Sequence, residues 1–338
     1  MSEPITAASL TAPTSSGESR GLGGRLRGSV QQLLAFASLV AIVVYFSFAS
    51  PYFFTRANLT GILVAATVVG ILSLGATFVI VAGGIDLSIG TAMTLCGVMA
   101  GVFITNWGWP IWVGVIGAIL FGAFVGFVNG INVAVLGLPP FIATLGMMLI
   151  AAGLTLVISG TKPIYFKEHP NFQLIMNYRL IPGSRFPLGV VIFLFLIVVA
   201  TVLLSRTIVG RYAYSIGSNE EATALSGVNV VKWKIVIYSI TGAFVGIAGV
   251  LAASRLSSAQ PVGGAGLELE AIAAVVIGGT SLQGGRGSMI GTVIGALIVA
   301  VLTNGLRITA VPQEWQSVVV GVVILVAVYV DMLRRRRT

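Results

Sequence analysis

Ionisable side chains are scarce in this 338-residue chain: 9% of residues are charged and there is a single histidine, against roughly 25% charged in soluble domains. From Leu87 to Thr161 no Asp, Glu, Lys, Arg or His occurs at all. The single cysteine, Cys96, excludes an intrachain disulfide and a thiolate metal cage, and is expected to be a small buried apolar group. No G-x-x-x-x-G-K-[ST] phosphate loop is present, so the chain cannot hydrolyse ATP by that route. A serine–histidine pair, a metal-ligand set and the chain of acids expected of a proton-coupled carrier are also missing, which argues against an enzyme and against a self-powered transporter.

What is present is apolar. Hydrophobic residues make up 57% of the chain, and several runs reach the roughly 20 residues that cross a bilayer as a helix. The alternation of a membrane β-strand is not seen. The fold class is therefore an all-α membrane protein, a polytopic bundle of about ten transmembrane segments with broken helices and a short cytoplasmic coupling helix. Ten spans are expected: Leu33–Phe48, Leu59–Val81, Ser88–Thr105, Ile111–Val133, Pro140–Ile158, Leu188–Leu204, Ile235–Ala253, Leu269–Ile277, Met289–Leu306 and Val318–Met332. The eighth is too short to cross alone and reads as a half-helix or as one continuing through Gly278 and Gly279. Residues 1–30, rich in Ser, Thr, Gly and Ala, read as a disordered tail with no cleavable signal, residues 31–333 as the permeating domain and 334–338 as a basic tail.

Basic residues set the orientation. The run Arg334–Arg337 directly after the last span resists crossing, so both ends and the polar insert at residues 206–234 are expected in the cytoplasm. The net charge of +9 fits contact with anionic lipid and calls for no nucleic acid.

Three groups of residues stand out. In the insert, Ser218 and Glu221 form an S-x-x-E pattern that predicts a helix over 218–226, capped by Ser218, with Glu220 and Glu221 in its first turn and Gly227 as its stop. So short a helix needs a partner surface. Between the second and third spans, Gly83 and Gly84 permit unusual backbone conformations, and Asp86 and Ser88 can cap the next helix; Asp86 at a helix break also reads as a pathway or gate residue. Asn129, Asn132 and Thr144 read either as hydrogen-bond partners for a polar solute or as interhelical glue. Glu268 and Glu270 precede the short segment, as interfacial markers or as a polar mouth in which Glu270 lies deeper. A Gly-Gly pair followed by a polar turn recurs at 81–91 and 276–292; Val-Ile-Gly-Ala and a following Asn-Gly recur at 115–118 with Asn129, and at 293–296 with Asn304, pointing to an internal duplication.

Taken together, AGGIDLSIGT, GSNEEATALSGVNVVKWK and IGGTSLQGGRGSMIGTVIGAL resemble the ribose-type sugar permeases of bacterial ABC importers, within the branched-chain amino acid and ribose permease superfamily. The resemblance runs from about Leu33 to the last span. It implies an inner-membrane permease for a monosaccharide such as ribose or another pentose or hexose, working with a second permease subunit as a homodimer or heterodimer. It further implies cytoplasmic ABC ATPases that bind the ATP, so that this subunit holds no cofactor, and a periplasmic or lipid-anchored sugar-binding protein. Ser218, Asn219, Glu220, Glu221, Ala222, Ala224 and Gly227 match the ATPase-coupling loop; Thr223 inside that motif, and Val228, Asn229 and Val230 after it, depart from the wider ABC pattern in the manner of the ribose-type branch. An amino-acid permease of the same superfamily and a stand-alone channel or secondary transporter are the competing readings.

Overall fold

A computed structural model describes residues 20–179 and 186–336 of the chain. Its order of helices is α1 (Arg20–Ala49), α2 (Arg56–Val81), α3 (Ile89–Gly101, prolonged by a π-turn Val102–Asn106), α4 (Ile111–Ala134), α5 (Pro140–Ser159), α6 (Leu174–Asn177), α7 (Leu188–Arg206), α8 (Ile208–Ser218), α9 (Glu220–Leu225), α10 (Val230–Leu256), α11 (Leu267–Ile277), α12 (Met289–Ile308) and α13 (Gln313–Arg336). Among the described residues seven helices are long and apolar enough to span a bilayer. The apolar part of α1, the short α11 and α13 supply the rest, so each of the ten expected segments falls on a helix. The chain is a multi-pass helical membrane protein. α1 starts at Arg20, inside the segment expected to be tail; residues 1–19 and 337–338 lie outside the described residues.

α2 is the most enclosed element, its second half buried on every side. A helix apolar all round and buried all round belongs at the centre of a bundle. Polar side chains fasten it to its neighbours: Thr241 Oγ1 of α10 donates to the Gly75 carbonyl at 2.8 Å, and Thr77 and Thr292 of α12 share a buried hydroxyl contact of 2.8 Å. With lipid as solvent, such bonds and close backbone packing hold helices together where the hydrophobic effect cannot. The closest packing is between α4 and α10. A Cβ placed on Gly122 would lie 2.5 Å from the Gly242 carbonyl, and one on Gly242 would strike the Gly122 backbone in return. Cys96 is fully buried, as expected.

At the end of the bundle away from α8 and α9, the long connection after α5 is folded rather than extended. Its strand β1 (Ile164–Tyr165) pairs antiparallel with β2 (Ser258–Ala259) just after α10, with Ile164 opposite Ala259. Phe166 and Phe172 stack there at 3.9 Å, and Ser254 Oγ bridges the Phe172 carbonyl and the Met176 amide. Leu180 to Arg185 lie outside the described residues.

Because α4 and α10 meet backbone to backbone, Gly242→Val is expected to cost membrane-inserted, monodisperse protein in size-exclusion chromatography and to lower its melting temperature. Gly146→Val, at a site with open space around it, is the matched control and leaves both unchanged.

Candidate functional site

The insert folds as two helices meeting at an elbow. α8 runs through Ser218, so Ser218 is the last residue of one helix and not the cap of the next. Asn219 takes that place, with an extended backbone (φ −159°, ψ 104°) and its Oδ1 accepting the Ala222 amide at 2.8 Å. The S-x-x-E pattern misplaced the start by one residue because the α8 hydrogen bonds continue to Ser215–Asn219 and hold Ser218 in helical geometry. The stop is where expected: Gly227 has φ +86°, directly after Ser226. Glu220 does more than meet the helix start, since its carboxylate receives Lys234 Nζ at 2.7 Å. Tyr212 and Trp233 pack ring against ring at 4.8 Å, so two contacts hold the elbow against the first turns of α10. Glu221, Ala222, Ala224 and Leu225 remain exposed, Leu225 at 86%.

α8 leads directly to the two Gly-Gly breaks. The amide of Gly285 donates to the Val81 carbonyl at 2.8 Å, joining the break after α11 to the end of α2. Gly217 of α8 sits against both, where any Cβ would strike the Val81 carbonyl and reach 2.6 Å from the Gly285 nitrogen. One residue-turn earlier, the Tyr214 hydroxyl donates to the Gly287 carbonyl at 2.9 Å, and burial raises this phenol above its ordinary pKa, keeping it a neutral donor. The breaks that look alike in sequence therefore touch. The second echo is different: Val-Ile-Gly-Ala lies on α4 in one case, a whole helix beyond its break, and in the first turns of α12 in the other. Asn129 and Asn304 accordingly fall at opposite ends of the bundle.

Above the first break, four of the sequence-predicted residues converge. Asp86 Oδ1 accepts the Ser88 amide at 2.9 Å and the Ser88 hydroxyl at 2.6 Å, an Asx-type turn. Asn129 Nδ2 donates to Ser88 Oγ at 2.9 Å and lies 3.5 Å from both Asp86 oxygens. Thr144 Oγ1 receives the Leu87 amide at 3.1 Å. Neither Asp86 nor Ser88 caps α3: the Ser88 backbone is already helical, and its hydroxyl is turned to Asp86 instead of the helix. All four side chains are buried, Asn129 completely, so they tie the break to α4 and α5. Asn132 stands apart, with its carbonyl accepting the Leu138 amide. Gly83 has φ +82°, and Gly84 leaves room for the hydroxyl of Tyr238, 2.7 Å from where its Cβ would be. Tyr238 is a site residue that sequence reading passed over, because a tyrosine in an apolar helix carries no local signal of what it faces.

α11 is a half-helix, as its length required. Eleven residues span about 16 Å, roughly half the hydrocarbon core. Its first turn meets that of α3, with the Glu268 carboxylate and Gly264 carbonyl pressed on Gly90. Glu268 Oε1 accepts the Gly266 amide at 2.9 Å. Two helix starts, each carrying partial positive charge, thus flank one carboxylate inside the bundle. Glu268, only 7% exposed, is the more buried of the two acids. Glu268 is the second residue of α11, and its carboxylate turns back to the amide of Gly266, the residue just before the helix. Glu270 and Asn304 instead line a cavity nearer the end away from α8 and α9.

Asn219→Ala is expected to remove about 1 kcal/mol from α9, read as faster amide exchange across residues 219–227. Ser218→Ala leaves that exchange unchanged, since Ser218 does not cap.

The chain matches the model of a family described as branched-chain amino acid transport system/permease component over residues 58–328. It is 44% identical over 301 residues to the ribose import permease protein RbsC of Escherichia coli strain K12, covering 89% of this chain and 92% of that protein. It is 38% identical to the fructose import permease protein FrcC of Rhizobium meliloti, over 84% of this chain and 80% of that one. With the xylose transport system permease protein XylH of Haemophilus influenzae it shares 33% identity, over 91% and 98%. No solved structure matches the chain. By the extent of these matches, this chain belongs to the branched-chain amino acid transport system/permease component family.

Proposed function

We propose that this chain is the permease subunit of an ABC importer that moves a monosaccharide across the bacterial inner membrane. The sugar reading, rather than an amino-acid one, is supported by the ribose, fructose and xylose permeases to which the whole chain is similar. In this reading the end bearing α8 and α9 faces the cytoplasm with both termini, and ATP is bound and hydrolysed by separate ATPase subunits docked there. A sugar-binding protein delivers solute at the opposite face, and a second permease subunit, identical or related, completes the membrane part.

The observation that carries the coupling assignment is the continuous path from α9 to the two breaks. α9 presents Leu225 to solvent, and covering such a side chain is worth about 1.5–3 kcal/mol. A push on α9 passes to α10 through Glu220–Lys234 and Tyr212–Trp233, and to both breaks through Gly217 and Tyr214. Helices hinged at glycine breaks can tilt without losing internal hydrogen bonds, which suits alternating access around a neutral solute. No covalent chemistry is required of this subunit.

Leu225→Asp is expected to abolish co-purification of the ATPase and uptake of radiolabelled D-ribose, D-fructose or D-xylose into proteoliposomes, with the amount of inserted permease unchanged. Uptake at the wild-type rate by that variant would refute the docking role of α9.

A further inference from the structure

The cavity of about 400 Å³ that holds Glu270 and Asn304 sets polar groups of several kinds around one open space, and neither the family match nor the names of the relatives assign it a role. It lies between α2, α3, α10, α11 and α12, with Arg255, Glu270, Thr303, Asn304 and Arg307 in its polar wall and Met93 among its apolar lining. α10 and α12 both contribute their last turns, so the cavity belongs to the half of the bundle remote from α8 and α9.

Its wall carries hydrogen-bonding capacity that the protein leaves unspent. Arg307 is close enough to Arg255 and Glu270 to act on both electrostatically, yet among the described residues none of the three is within ion-pair distance of another. Thr303 Oγ1 and Asn304 Oδ1 lie just beneath the cavity wall, shielded from solvent and without a partner; five other buried side-chain oxygens among the described residues likewise have none. Buried polar atoms are nearly always paired, so exceptions call for an account. The inventory is mixed: guanidinium donors on two arginines, acceptors on Glu270, and groups of both kinds on Asn304 and Thr303. A sugar hydroxyl both donates and accepts, and such a wall can meet several hydroxyls at once while the aliphatic lining meets the ring carbons. The volume falls within the roughly 300–1,000 Å³ usual for small-molecule sites.

We infer that this cavity is a transit site at which the permease itself binds a neutral monosaccharide through Glu270, Asn304, Thr303 and the two arginines, before the breaks near α8 open. The inference rests on the sugar-permease reading. It adds that selection is made in the membrane subunit as well as by the protein that delivers the solute. An acidic ligand on the arginines alone would leave Glu270 opposed, and is disfavoured.

The test uses the assembled importer, permease with its ATPase and loaded binding protein, in proteoliposomes supplied with radiolabelled D-ribose, D-fructose, D-allose or D-xylose. With the sugar that the wild type imports, Asn304→Ala and Glu270→Gln are expected to lower sugar imported per ATP hydrolysed at least tenfold. Thr303→Val, which keeps shape and loses only the hydroxyl, is expected to lower it several-fold and serves as the variant least able to disturb folding. An unchanged ratio in all three overturns the inference. So does a loss of uptake explained by weaker docking of the binding protein, measured separately by titration. If the wild type imports branched-chain amino acids and none of the four sugars, the function proposed above fails, and the sugar site with it; wild-type sugar import with unaltered variants leaves that function standing and removes only the site.

Discussion

A helix interrupted inside a bilayer leaves backbone amides and carbonyls with no water to satisfy them, each at a cost of several kcal/mol. This protein ends α2 and α11 in glycine turns and meets the same need by setting one turn against the other. Gly285 bonds the free carbonyl of Val81, and Gly217 of α8 closes over both. Only residues without a side chain permit three backbones to approach so closely. The position of α8, the direction in which α2 and α11 end, and the route from α9 into the bundle all follow from this junction.

The polar cluster above the first break solves the same problem one level deeper. Asp86 satisfies the Ser88 amide and hydroxyl, Asn129 reaches in from α4, and Thr144 takes up the Leu87 amide from α5. A charge-free stretch of chain thereby wraps a single acid. In this arrangement the buried cluster is a joint that ties the break to α4 and α5. At the far side of the bundle the logic is reversed. Glu270, Arg255 and Arg307 line open space, and Asn304 and Thr303 keep unpaired oxygens. One end of the molecule thus has a buried, hydrogen-bonded polar cluster, and the other has polar side chains around open space.

Between those ends runs the tightly packed α4–α10 pair. α10 starts beside the elbow that Lys234 and Trp233 hold, and it finishes at Arg255 beside the remote cavity. A helix of 27 residues, about 40 Å long, therefore touches both the α8–α9 elbow and the polar wall of the remote cavity. Displacement at one end is felt at the other with no intervening loop.

Composition and apolar run length were enough to determine the fold class, the placing of ten helical segments and the half-length of α11, because the thickness of a bilayer is a fixed ruler. Local turn chemistry determined that a short helix stops at Gly227, where φ is positive and a side chain would be strained. The one-residue error at its start came from a hydrogen bond belonging to the preceding helix, which no four-residue pattern contains. Only the tertiary structure decided that the two Gly-Gly breaks touch, that Asp86, Ser88, Asn129 and Thr144 form one cluster while Asn304 joins Glu270 elsewhere, and that Glu268 is buried between two helix starts. Periodicity tells which segments cross and which faces are apolar. It holds no information on which two breaks, far apart in the chain, must share their unsatisfied backbone groups.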